Sequence, residues 1–206
     1  MLEAPALHDA PWGGPIMDTR AESASSGQSP NDAKLVAAIN GGSHAAFEEL
    51  YRRHRDWTVN LAFRFTGDEA LALDVMQETF LYLLRKFPGF ELRAQMRTFL
   101  YPAVKNLSIA ARRKAGCCQA GDFENDILSS LPAPETGVAS DGELAAVLAT
   151  LPSQQREVLV LRFVDGFRLE EIADALEIPL GTVKSRLHNA LKTLRDDPRT
   201  KELIGE

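Results

Sequence analysis

Residues Leu151 to Arg195 read LPSQQREVLVLRFVDGFRLEEIADALEIPLGTVKSRLHNALKTLR. The stretch predicts three helices. The first runs from Ser153, a residue suited to an N-cap, to Phe163, with Val158, Leu159, Leu161 and Phe163 available for a core. Asp165-Gly166 ends it with turn chemistry. The second runs from Leu169 to Leu176 and sets Leu169, Ile172, Ala173 and Leu176 at helical spacing. Ile178-Pro179 forces a tight connection, because the residue before a proline is pushed out of the α region. The third begins near Gly181-Thr182 and reaches Arg195, with Val183, Leu187, Ala190, Leu191 and Leu194 on one stripe. Two short helices, a tight turn and a longer third helix make a helix-turn-helix unit.

Charge separates the faces of this unit. The second helix carries Glu170, Glu171 and Asp174, and Glu177 follows it. From Leu180 to Arg195 there is no acid, and Thr182, Lys184, Ser185, Arg186, His188, Asn189 and Lys192 lie off the apolar stripe. Such donor-rich side chains reach phosphates and base edges in a major groove. A solvated face of an ordinary three-helix unit is the plainer reading. The one-sided charge, the small residues opening the third helix and the turn chemistry together favour DNA.

The chain as a whole is 206 residues long, enough for one or two domains, with 45% hydrophobic and 25% charged residues, as in globular proteins. A net charge of -6 argues against a uniformly basic coat but leaves room for local basic faces. The two cysteines, Cys117 and Cys118, are adjacent and poorly placed to pair. No His/Cys/carboxylate cluster has metal spacing, no apolar run approaches a membrane span, and the N-terminus lacks the pattern of a signal peptide. We therefore expect a cytoplasmic protein with no metal site and no cofactor.

Residues 1–30 are rich in Ala, Ser, Gly and Pro and are expected to be a disordered tail. From 31 to 114 the pattern is helical without strand alternation. Asn31 or Asp32 caps a first helix, Ser43 a second, and a third runs from Glu69 to Phe87, with Leu73, Val75, Phe80, Leu83, Leu84 and Phe87 as core candidates. A fourth spans Thr98 to Lys114. Asp74, Gln77, Glu78 and Leu81 fall at i, i+3, i+4 and i+7, so they share one face of the third helix, either a solvated polar face or a docking surface. From Leu92 to Ala120 there is no acid, while Arg93, Arg97, Lys105, Arg112, Arg113 and Lys114 alternate with Phe99 and Tyr101. That mixture suits a nucleic-acid strand, with charges following the backbone and rings stacking on bases, but it also fits two core aromatics among solvated cations. Residues 115–142 lose periodicity and are acidic and proline-containing, which reads as a linker between the helical domain and a second domain at 143–197; 198–206 is a short tail. The expected fold is all-α: two small helical domains joined by a flexible linker, the second a helix-turn-helix.

Asp-Val-Met-Gln-Glu-Thr-Phe (Asp74 to Phe80), Arg-Thr-Phe-Leu-Tyr (Arg97 to Tyr101) leading to Lys105-Asn106, and Ile-Pro-Leu-Gly-Thr-Val-Lys-Ser-Arg-Leu (Ile178 to Leu187) stand in this order along the chain. Together they resemble the bacterial RNA polymerase sigma factors of the extracytoplasmic-function (ECF) group over residues 32–195. The resemblance implies a non-enzymatic initiation factor whose partners are core RNA polymerase, through the β′ clamp helices and the β subunit, promoter DNA and an anti-sigma factor. It implies that Asp74, Gln77, Glu78 and Leu81 dock on the clamp helices. It assigns Phe90, Arg93, Gln95, Arg97, Phe99, Tyr101, Lys105, Asn106, Arg112 and Arg113 to recognition and melting of the minus-ten element, with the loop 90–96 holding a flipped base. It assigns Thr182, Lys184, Ser185, Arg186, His188, Asn189 and Lys192 to the minus-thirty-five element. The sequence departs from the family pattern at Pro102, where an arginine or similar residue is common, and at Ala110, where an aspartate is. The rivals are a dimeric helix-turn-helix regulator of operators, a nucleic-acid enzyme with a helix-turn-helix tail, and an adaptor that binds no DNA. The first lacks a heptad seam, the second a nucleophile or carboxylate set, and the third leaves the acid-free helix unexplained.

Overall fold

Ser43 and Asp68 start two consecutive helices of the N-terminal half. Each sits in extended backbone and accepts a hydrogen bond from a backbone N–H three residues on: Ala46 to Ser43 Oγ at 3.3 Å and Leu71 to Asp68 Oδ1 at 2.8 Å. The computed structural model describes residues 30–116, 148, 150–198 and 200, which hold seven α-helices and no strand. The expected N-terminal tail through residue 29, Cys117-Cys118 and nearly all of the linker and C-terminal tail lie outside the described residues. The helices are α1 (Pro30–Asn40), α2 (His44–Thr66), α3 (Glu69–Leu84), α4 (Met96–Lys114), α5 (Ser153–Phe163), α6 (Leu169–Leu176) and α7 (Leu180–Asp196). No helix among the described residues is long and apolar enough to cross a membrane.

The first four helices form one bundle. Leu50 of α2, Leu83 of α3 and Met96 and Leu100 of α4 meet in its centre at 1% exposure or less. Gly67 adopts φ 66° to end α2, returning its N–H to the Phe63 carbonyl at 2.8 Å, a left-handed position that a side chain would strain. Asp32 does not cap α1. It lies in the first turn, buried, and binds His54 Nε2 at 2.9 Å and Arg53 Nη1 at 3.3 Å, which ties α1 to α2. α3 ends at Leu84, short of the expected Phe87, because Lys86 and Phe87 donate to carbonyls only three residues back. α4 starts two residues before Thr98 and continues through Pro102, which has no N–H to return to the Thr98 carbonyl.

α5 to α7 form the second unit. Ser153 is the first helical residue of α5 rather than its cap, a place taken by Pro152. α6 has the expected bounds, and its Glu171 carboxylate accepts from the Arg168 N–H at 2.8 Å. Glu177, at φ 54°, turns the chain sharply into Ile178-Pro179 and α7. Val183 and Ala190 of α7 are fully buried, whereas Leu191, expected on the same stripe, is 42% exposed.

The two units pack against each other. Leu61, Phe65, Tyr101 and Val104 of the first share a buried cluster with Val158, Leu161, Phe167 and Ile172 of the second.

Candidate polymerase and nucleic-acid interfaces

α3 carries two stripes. Ala72, Val75, Met76, Thr79, Phe80 and Leu83 face the bundle. Asp74, Gln77, Glu78 and Leu81 are all exposed, so the four predicted residues do share an open face. Leu73 and Leu84 are not core as the sequence suggested: they stand 42% and 46% exposed, and with Gln77 and Leu81, at 45%, they form a second helical row in water. The face is thus an apolar row edged by Asp74 and Glu78.

The connection from α3 to α4 is a built loop. Phe87-Pro88 is a cis peptide, and Gly89 takes φ 96°. Asn40, at the end of α1, holds it with three hydrogen bonds: its Nδ2 donates to the Phe90 carbonyl at 2.9 Å, and its Oδ1 accepts from Gly89 N at 2.7 Å and Phe90 N at 3.2 Å. Nothing near Asn40 in sequence signals this role, since its partners lie 49 and 50 residues away. Phe90 packs against Phe87 and Phe99 with ring centroids 5.4 and 4.7 Å apart, and Phe99 stacks on Tyr82 at 6.2 Å. Behind the loop opens a cleft of about 710 Å³, lined by loop residues Phe90 to Ala94 and, on α4, by Thr98, Pro102 and Asn106. These α4 residues recur every fourth position, so the proline forms part of the cleft wall. The Thr98 hydroxyl is buried without a hydrogen bond.

The other predicted minus-ten residues are placed unevenly. Arg93, Asn106 and Arg113 are exposed, and Gln95, Arg97, Phe99 and Lys105 are half-buried. The Arg97 guanidinium lies 5.5 Å from the Trp57 ring centre. Arg112 departs from the expectation: it is buried, and its Nη1 donates to the Phe65 carbonyl at 3.3 Å, so it fastens α4 to α2. Tyr101 is also buried, at 2% exposure, and its hydroxyl donates to Glu157 Oε1 of α5 at 2.6 Å. Burial, and then the Glu157 charge, push that phenol well above its usual pKa. Lys105 Nζ reaches the same oxygen at 2.5 Å. Alongside, Asp165 Oδ1 accepts from Arg64 Nη2 at 2.6 Å and Trp57 Nε1 at 3.0 Å. No local pattern signals these pairings of Trp57, Arg64, Glu157 and Asp165, because the partners lie 52 to 108 residues apart.

On α7, Lys184, Ser185, His188, Asn189 and Lys192 are exposed, and Thr182 and Arg186 are half-buried. The Ser185 hydroxyl donates to the Thr182 carbonyl at 3.0 Å. The helix thus offers one continuous donor face, beginning at the N-terminal end that follows the Glu177 turn.

Known proteins share this arrangement. Residues 50–116 match Sigma-70 region 2, and residues 141–194 match Sigma-70, region 4. The chain is 35% identical to the ECF RNA polymerase sigma factor SigL of Mycobacterium tuberculosis over 168 residues, 78% of this chain and 93% of that protein. The chain belongs to the ECF sigma factors. This sigma factor is also 31% identical to the RNA polymerase sigma-H factor of Pseudomonas aeruginosa over 79% of its own length and 91% of the relative's. It is 28% identical to SigW of Bacillus subtilis over 81% and 96%. Its fold resembles that of CnrH, solved with the cytosolic domain of CnrY, at a TM-score of 0.58 and 22% identity over 85% of this sigma factor and 97% of that chain. It also resembles RpoE of Bartonella quintana, solved with the anti-sigma factor NepR, at 0.54 and 20% over 77% and 96%.

Proposed function

We propose that this ECF sigma factor binds core RNA polymerase in the cytoplasm, directs it to promoters and opens them, without catalytic chemistry of its own. The α3 face carries the attachment: Asp74, Gln77, Glu78 and Leu81, widened by Leu73 and Leu84, meet the β′ clamp helices, and the second unit meets the β subunit. Its acids suit a basic partner, and its leucines supply the area that charge alone lacks. The loop-and-α4 cleft takes a base drawn out of the minus-ten duplex. Unstacking costs a few kcal/mol, which stacking on Phe90 and Phe99 and edge bonds from Asn106 and Gln95 would offset. Arg93, Arg97, Lys105 and Arg113 follow the strand's phosphates, while Arg112 is left out of this set because it serves the fold. Thr182 to Lys192 on α7 read the minus-thirty-five element in the major groove.

The observation that carries the reading is the exposed apolar row on α3 edged by Asp74 and Glu78, present on the same chain as a donor-faced helix-turn-helix. A helix-turn-helix regulator acting alone has no use for it. Because known structures of this fold contain anti-sigma factors, such an inhibitor is the expected third partner of this chain. Run-off transcription with purified core polymerase, with and without this protein, tests the proposal. Promoter-dependent transcripts should require both, and tight, specific promoter binding by the free protein, unaltered by core, would overturn it.

A further inference from the structure

Pro102 stands inside α4, and the helix runs on through it from Met96 to Lys114. A residue at this place ordinarily returns its N–H to the carbonyl four residues back, which is that of Thr98. Proline has no N–H to return, and its ring crowds the carbonyl it leaves unserved. Any other residue at 102 would supply the missing donor. The Thr98 hydroxyl is unserved as well: it is buried without a hydrogen bond, in a residue only 4% exposed. Thr98 and Pro102 both line the cleft behind the loop from Phe90 to Ala94. One residue of the cleft wall thus lacks the usual partners of two polar groups, a debt that a bound ligand can settle. The other contacts of the cleft do not choose between bases. The rings of Phe90 and Phe99, 4.7 Å apart, offer stacking to any of them. The Asn106 amide, two turns further along the same wall, carries a donor and an acceptor and can turn over. The Thr98 carbonyl only accepts.

We propose that Thr98 and Pro102 make the cleft selective for a base with an exocyclic amino group, cytosine or adenine, over thymine and guanine. This selectivity rests on the base capture proposed above and names the bases that the cleft takes. The Thr98 carbonyl accepts from the amino group, and the Thr98 hydroxyl donates to the ring nitrogen beside it, N3 of cytosine or N1 of adenine. Both bases present this order of donor and acceptor on the Watson–Crick edge. Thymine and guanine present the reverse, a keto oxygen beside a ring N–H. The hydroxyl can turn to suit either order. The carbonyl cannot: a keto oxygen set against it leaves two acceptors facing each other and neither satisfied. Pro102 is therefore a positioning residue. It touches the choice of base by withholding the helix's own hydrogen bond from Thr98, so that the carbonyl has a donor only when the right base is in place.

The test uses holoenzyme assembled from the full chain and core polymerase. The probe is a pool of single-stranded DNA 12-mers randomised at every position, retained on filters by the holoenzyme and sequenced. Wild type should enrich cytosine or adenine over thymine and guanine about tenfold at one position, the discrimination that a matched pair of edge bonds gives. Pro102→Ala restores the N–H to the Thr98 carbonyl, and alanine suits a helix interior better than proline, so the fold should hold. Its preference at that position should fall to about twofold or less, with enrichment elsewhere unchanged. Thr98→Val removes the hydroxyl and keeps the carbonyl, so it should weaken binding yet leave the preference in place. A second measurement needs no variant: the selected 12-mer is resynthesised with hydrogen in place of the amino group, as 2-pyrimidinone or unsubstituted purine, and wild-type holoenzyme should bind it about tenfold more weakly by anisotropy. Thymine or guanine preferred at every constrained position, an amino-base preference that Pro102→Ala leaves whole, or full affinity for the resynthesised probe would overturn the selectivity alone. Enrichment at no position by a holoenzyme that is active in run-off transcription would take down the base capture itself, and the selectivity with it.

Discussion

Replacing Asn40 by alanine removes the three hydrogen bonds that hold Gly89 and Phe90, at 2.7, 2.9 and 3.2 Å. Each ordinary hydrogen bond contributes about 1 kcal/mol net, and a stranded buried partner costs more. The Gly89 bond is exposed and the two at Phe90 are partly buried, so water can replace some of what is lost. The expected cost is then about 1.5 to 2.5 kcal/mol, roughly 6 to 20 °C in the melting of the N-terminal bundle at a scale of about 4 to 8 °C per kcal/mol for a domain of that size. The functional cost should be local. The loop carries Phe90, which packs on Phe99 beside the cleft, so promoter melting by the holoenzyme, followed by permanganate reactivity of unpaired thymines, should fall. Affinity for upstream-element DNA should hold. Asn40→Asp sharpens the test, since a carboxylate still accepts from Gly89 and Phe90 N–H but cannot donate to the Phe90 carbonyl, and its effect should be the smaller of the two. An Asn40→Ala protein with wild-type melting temperature and wild-type permanganate reactivity would refute the role given to this residue.

Asp74→Lys with Glu78→Lys should weaken core polymerase binding at least tenfold by titration and leave the circular dichroism spectrum unchanged, because both side chains are exposed. Arg186→Ala should cost roughly 1 to 3 kcal/mol and alter the order of preference among upstream-element variants, whereas Lys192→Ala should weaken all of them alike and lower the salt slope by about one. Burial raises the Asp32 carboxyl, but bonds and charge from His54 and Arg53 outweigh it, so the group titrates below its ordinary 3.8. Because the folded value is depressed, its contribution is present above about pH 4 and lost as the pH falls through the lower folded value. Asp32→Asn should therefore lower the melting temperature at pH 7 and differ little from wild type near pH 2, in thermal scans across that range. Leu83→Ala, at a site with 0% exposure, should destabilise the bundle by about 2 to 5 kcal/mol in urea titrations.

Local rules carried the helices well. Ser43 and the α6 boundaries follow from capping and periodicity within a few residues of chain. The four-residue face on α3 was legible for the same reason, since spacing alone places side chains on a helix. Spacing does not say which apolar side is covered, so Leu73 and Leu84 read as core and stand in water. Composition misplaced Arg112 similarly, because its cationic neighbours Arg113 and Lys114 are exposed while it turns inward to Phe65. The contacts of Asn40, Trp57, Arg64, Glu157 and Asp165 join residues 49 to 108 positions apart, and no periodicity reports on such pairs.

The uncovered leucines of α3 also bear on how much of this protein a cell can carry. Leu73, Leu81 and Leu84 present a sticky strip that only a partner can hide, and two unattached copies are each other's nearest substitute. Molecules made in excess of their partners should self-associate and be drawn towards aggregation or proteolysis. Purified chain should accordingly grow in hydrodynamic size with concentration, and the growth should reverse when core polymerase is supplied.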